Sequence, residues 1–315
     1  MFLLIPNEWI KLFKRRGTYV MIGLLLLMVS AFAALTKYEE NKQSEQPDWK
    51  QVVQAENAAY AQQLNDQREM TADQRAHIEG QIEINEYRLT ENVPVQTSEY
   101  MWSFVENASD FLQVDGLFMI VVAGGIVANE YTWGTIKLLL IRPISRSKIL
   151  LSKYVAVVLF GLFLVSMLFL FSVIIGAALF GLSGQSAHLA YVNGQVVEQN
   201  MLFYLVKLYA MKSVEVLILA TMAFMISAVF RSSSLAIGIS LFLLFMGPNV
   251  TYILSMRYEW AKYLLFANTN LLQYETGTAM VEGMTMSFSL IMLLIYFLVF
   301  QLFAFTVFAK RDVAG

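Results

Sequence analysis

The sequence predicts an all-α polytopic membrane protein with six transmembrane helices. Three observations predict it: 57% of the 315 residues are hydrophobic, the mean hydropathy is +0.56, and the apolar residues gather in long runs. A hydrocarbon core of about 30 Å takes roughly 20 apolar residues in helical form. Helices also satisfy every backbone N–H and C=O internally, which lipid requires. The runs fall at about 18–35, 112–128, 154–180, 213–230, 235–255 and 287–309. Six spans place both termini on one side.

Residues 1–17 read as an amphipathic interfacial helix. Ile5, Trp9, Leu12 and Phe13 make an apolar side and Lys11, Lys14, Arg15 and Arg16 a basic one, which suits the inner headgroup layer. With the run at 18–35 they form an uncleaved signal-anchor, although Ala31-Phe-Ala33 leaves cleavage open. Charge then sets the orientation. Segments 1–17, 129–153, 231–234 and 310–315 hold twelve Lys and Arg against three acids, whereas the insert 36–111 holds six against fifteen. The first set is cytoplasmic and the insert extracytoplasmic by the positive-inside rule. The net charge of −2 therefore hides two opposed fields, and neither points to nucleic acid. Zero cysteines exclude disulfides and thiolate chemistry, which fits a bacterial plasma-membrane protein.

The insert reads as a helical hairpin. Val53, Tyr60 and Leu64, then Ile78, Ile82 and Leu89, recur at helical spacing, and Thr71-Ala-Asp-Gln74 matches a capping box. Glu91-Asn-Val-Pro94 closes it.

In the second span Ala123-Gly-Gly125 permits close helix packing. Asp115 precedes Glu130 by about 22 Å of helix, which places it near the outer surface. It is a candidate pathway residue, because ionisable groups in spans line routes through the membrane. Residues 181–212 form an outer loop. Lys212 and Glu215, one turn apart, are placed to pair and join the pathway or gating set. So do Gly247 and Pro248, where proline must kink or end the fifth span. Residues 256–286 form an outer interfacial or re-entrant segment of short helices, rich in aromatics such as Tyr258, Trp260, Tyr263 and Tyr274.

Several chemistries are missing from the sequence. There is no Gly-x-x-x-x-Gly-Lys-Ser/Thr phosphate loop, so the chain is not itself an ATPase and no enzyme activity of its own is expected. His77 and His188 have no partners at metal-ligand spacing, and no metal site is expected. Gly181-Leu-Ser-Gly184 is similar to an element of rhomboid proteases. Its Ser183 has no imidazole on another membrane helix to activate it, the nearby His188 lying in the same outer loop, so a helix-ending turn is expected.

The inner loop 129–153 carries the functional signal. Glu130, Gly134-Thr-Ile-Lys137, Leu139-Leu140, Pro143, Arg146, Ile149-Leu150 and Lys153 resemble, in that order, the pattern of ABC-2-type transporter permeases. The six-span layout resembles that family over nearly the whole chain, while the specific residues are confined to the loop. The resemblance implies a coupling helix that docks on a separate ATP-hydrolysing subunit, with Glu130, Gly134, Thr135, Ile136, Lys137, Leu139, Pro143 and Arg146 at the contact. Physics agrees: Gly134 permits a sharp turn, residues 135–141 make about two helical turns, Pro143 stops them, and Ser145 caps the third span. Glu130 is placed to pair with Lys137, Arg146 or the partner.

The resemblance further implies a second permease copy or homologous permease, surrounding lipids, and ATP and magnesium held by the ATPase, with no cofactor on this chain. Members of that family export antibiotics, peptides, sodium, lipids and polysaccharides. The acidic insert and outer aromatics point to an antibiotic, peptide or amphipathic molecule. A membrane sensor or assembly protein with a ligand-binding outer hairpin remains the alternative.

Overall fold

The computed structural model describes residues 4–42, 48–66, 70–95, 100–135, 144–182, 187–192 and 194–310. Among them, six helical stretches are long and apolar enough to cross a membrane: Arg16–Lys42, Met101–Thr132, Arg146–Phe180, Met201–Phe230, Ser233–Ser255 and Met286–Lys310. They follow the six expected runs in order, and the chain is a multi-pass helical membrane protein.

Helix α1 (Leu4–Phe13) precedes the first span, α2 (Arg16–Lys42). The buried Thr18 hydroxyl donates to the Leu12 carbonyl at 2.5 Å, fixing the corner between them. Trp9 and Phe13 reach the third span, where their rings lie 5.4–6.4 Å from those of Phe160 and Phe163. The apolar side of α1 is thus committed to protein.

The expected hairpin is present as α3 (Trp49–Asp66) and α4 (Ala72–Thr90), paired through Asn85 Nδ2 donating to Asn57 Oδ1 at 2.8 Å. The capping box is complete, with Gln74 N donating to Thr71 Oγ1 at 3.2 Å and Thr71 N to Gln74 Oε1 at 3.1 Å.

The second span begins earlier than hydropathy suggests. It comprises α5 (Met101–Ala108), a 3-10 turn (Ser109–Phe111), α6 (Leu112–Ile126) and α7 (Ala128–Thr132). Glu106 and Asp110 lower the local hydropathy, but both are satisfied by the fourth span. Tyr204 donates to Glu106 at 2.8 Å and Lys212 to Asp110 at 2.6 Å. Meanwhile Phe104 stacks on Phe32 with ring centroids 5.5 Å apart.

The third span, α8 (Arg146–Phe180), leads to a hairpin of strands β1 (Ala187–Val192) and β2 (Gln195–Asn200), where a plain loop was expected. Asn193-Gly194 is a strong hairpin signal in the sequence. Strand β1 meets α4 at Gly80, where an added Cβ would lie 2.9 Å from Tyr191. Ser183 and Gly184 lie outside the described residues.

The fourth span, α9 (Met201–Phe230), runs parallel to the second, with Tyr209 donating to the Val105 carbonyl at 2.9 Å near one end and Ala128 N to Ser227 Oγ at 3.1 Å near the other. The fifth, α10 (Ser233–Ser255), approaches closely at Gly124, where a Cβ would lie 3.0 Å from Ile237. Short elements then intervene, a 3-10 turn (Glu259–Tyr263), α11 (Leu265–Asn268) and a second 3-10 turn (Leu271–Tyr274), before the last span, α12 (Met286–Lys310). Residues 4–16, 128–135, 144–153, 231–232 and 308–310 share one end of the bundle, called the basic end below; the opposite end carries both hairpins.

Candidate functional site

At the basic end, four charged side chains from three elements converge, three of them buried and the fourth, Lys11, half-exposed. Lys153, on the first turns of the third span, is 1% exposed, Glu8 of α1 is 5% and Glu130 of α7 is 7%. Lys153 Nζ donates to Glu8 Oε2 at 2.8 Å and to Glu130 Oε1 at 2.9 Å. Lys11 Nζ completes the ring, donating to Glu8 Oε1 at 2.8 Å and to Glu130 Oε1 at 3.3 Å. Two carboxylates meet two ammoniums, so the cluster is neutral as a unit. Burial disfavours the charge on Lys11, but the hydrogen bond from Lys11 to Glu8 and the charges of Glu8 and Glu130 prevail and raise its pKa above the ordinary value.

The sequence assembles this clamp locally. Glu8, Lys11 and Leu12 lie on one face of α1, because residues three and four apart are helical neighbours. Glu130 is carried inward by α7, and Thr135 donates from its hydroxyl to the other Glu130 oxygen, Oε2. Between them Gly134 takes φ +69°, the left-handed conformation that favours glycine, and turns the chain away from the second span. Aromatic contacts hold the same turn from two sides. Arg15 lies 5.5 Å from the Trp133 ring centroid and Arg231 lies 4.6 Å from that of Tyr131.

Among the described residues Glu130 bonds to Lys153, Lys11 and Thr135, and not to Arg146. Arg146 instead donates to the Ala309 carbonyl at 3.4 Å, joining the loop's far end to the last span. Ser145 stands at the N-cap position of the third span, but its side chain makes no cap hydrogen bond. Ile136, Lys137, Leu139 and Pro143 lie outside the described residues. At the sequence level Glu8 and Lys11 enter only as charges of the N-terminal segment, and Lys153 only as the last residue of the loop pattern, with no partner assigned to it. The usable signal was an acid in a basic segment, on the same helical face as an apolar residue.

The pathway candidates separate. Lys212 does not pair with Glu215; its ammonium donates at 2.6 Å to both Ser109 and Asp110 on the second span. Pro248 does not end the fifth span, which continues to Ser255. Gly247 serves close packing, because a Cβ there would overlap the Phe266 ring. Asp115 is 0% exposed, and it lies about 7.5 Å of helix inward of Asp110 rather than at the surface.

Fold and site together define a multi-pass helical membrane protein whose basic end is organised around a buried, charge-balanced clamp. The chain belongs to the family described as "Protein of unknown function (DUF2705)", whose profile matches residues 75–314. It is similar to "Uncharacterized protein YhcI" of Bacillus subtilis (strain 168), 48% identical over 315 residues and 99% of each chain. It is also similar to "Uncharacterized membrane protein YdbK" of the same organism, 31% identical over 196 residues, 62% of this chain and 76% of that protein.

Proposed function

We propose that this chain is the permease subunit of an ATP-binding-cassette exporter of the bacterial plasma membrane, with both termini and the loop 129–153 in the cytoplasm. It works as a dimer with a second permease copy or a homologous permease, and ATP and magnesium are held by two separate ATPase subunits. The observation that carries this reading is the clamp. Loop 133–145 leaves the second span at Gly134 and enters the third at Arg146, and Glu130 and Lys153 bracket it while bonding to each other and to α1. A push on the loop therefore reaches two spans and the interfacial helix as one body, as a coupling helix requires. The substrate we favour is an antibiotic, peptide or amphipathic molecule, on the strength of the acidic insert.

The docking of α4 on the β-hairpin at Gly80 and Tyr191 favours a second reading, a membrane sensor whose outer hairpin binds a ligand. Co-expression with an ABC ATPase subunit from the same genome distinguishes the two. We expect a stable complex that hydrolyses ATP and cross-links through a cysteine placed at 136–140, and no ATP turnover by the chain alone. Turnover by the partner-free chain, or no complex with any such subunit, would overturn the exporter reading.

A further inference from the structure

Asp115 is a buried acid that the clamp does not use. Its side chain is 0% exposed, and neither carboxylate oxygen has a hydrogen-bond partner among the described residues. The groups that face it offer no positive charge. On the parallel fourth span, the pairing of Asp110 with Lys212 and of Ala128 with Ser227 brings residues near 215 to its level. The titratable group there is Glu215, itself an acid. Lys212 is committed to Ser109 and Asp110, and the Tyr209 hydroxyl donates to the Val105 carbonyl. The third span carries no Lys, Arg or His from Tyr154 to Phe180, the fifth none from Ser233 to Ser255, and the first none from Gly17 to Thr36.

An ionised carboxylate so placed would lie in a low-dielectric interior with neither a counter-charge nor a donor. Such groups neutralise instead. The adjoining wall is slack, since Gly116 is buried and yet a Cβ built on it would meet no atom within 4 Å. One turn towards the hairpin end, on the same helical face, Phe111 lines a cleft of about 390 Å³ together with Phe32, Thr36, Glu39, Asn107 and Asp110. Of its two acids Asp110 is paired with Lys212, and Glu39 makes the mouth attractive to cations, protons included. Phe111, four residues before Asp115, is the lining residue of that cleft next to it along the span.

We propose that Asp115 is a proton-binding site of the second span, reached from the cleft past Phe111, and that it holds its proton in the closed arrangement seen here. Exchange with the aqueous side requires Phe111 to move, so proton release is tied to a change in the packing of the second span. The inference does not depend on the exporter reading.

Infrared spectroscopy of the full chain in lipid vesicles at neutral pH tests it. We expect a carbonyl band of a protonated carboxylic acid that shifts to lower frequency when aspartate is 13C-labelled and is lost in Asp115→Asn. Labelling keeps the test informative should Asp115→Asn fail to fold. Phe111→Ala should speed the deuterium shift of this band several-fold. Four results would overturn the proposal: no such band, a band shifted only by labelled glutamate, a band that Asp115→Asn retains, or a band that sodium or potassium abolishes, which would mark a metal-cation site.

Discussion

At the residue scale, the clamp makes Lys153 the most consequential side chain at the basic end. Replacing it by Met leaves Glu8 and Glu130 buried with Lys11 alone, and breaking a buried pair from one side costs about 3–5 kcal/mol. Lys153→Met is therefore expected to lower the thermal midpoint of the purified chain sharply. Adding Glu130→Gln should return part of the loss, because it removes a charge of the opposite sign from the same contact. Strictly additive losses would show that the two residues do not interact. His188 supplies a pH prediction. Its ring stacks on Tyr204 at 3.6 Å, and burial, assisted by the Arg88 and Lys207 charges and opposed by Glu275, pushes its pKa down from 6.5 to about 4. The unfolded chain takes up this proton near 6.5 and the native chain only near 4. The stabilisation is full above pH 6.5 and is lost as pH falls towards 4. His188→Phe keeps an aromatic ring on Tyr204 and should flatten the stability difference across that window. Parallel wild-type and variant melting curves would contradict this.

At the element scale, Gly247 fixes how the fifth span meets α11. A methyl group there would overlap the Phe266 ring, and overpacking of this kind costs roughly 1–3 kcal/mol. Gly247→Ala should destabilise the chain, and Phe266→Leu should relieve part of that loss; a silent Gly247→Ala would refute the contact. The elements differ in how far the sequence revealed them. Helix α4 was readable to the residue because Thr71 and Gln74 cap it through local bonds. The start of the second span was not, because Glu106 and Asp110 lower the local hydropathy and their partners Tyr204 and Lys212 lie far away in sequence. The clamp was half legible. Glu130, Gly134 and Lys153 stand out in the loop, whereas Glu8, and the pairing of Lys153 with both acids, acquire meaning only when α1 folds back on the third span. The β-hairpin was legible at Asn193-Gly194, but the polar alternation of Gln195–Asn200 resembles a loop.

At the scale of the whole molecule, the account rests on opposed charge at the two ends and on a rigid link from the loop to the spans. A cysteine at Asp73, on the insert, should react with an impermeant thiol reagent on intact cells, while one at Lys148 should not; the reverse pattern would invert the orientation. The central claim is that the loop held by Glu130 and turned by Gly134 transmits the work of an ATPase. Gly134→Pro forbids the positive φ and removes a backbone donor, and Glu130→Ala opens the clamp while leaving residues 133–145 unchanged. The most direct test is substrate efflux per ATP hydrolysed, measured with permease and ATPase subunits reconstituted in vesicles. The account predicts that Glu130→Ala remains in the membrane with its ATPase bound, and that efflux falls far more than hydrolysis. An unchanged ratio in both variants would contradict it.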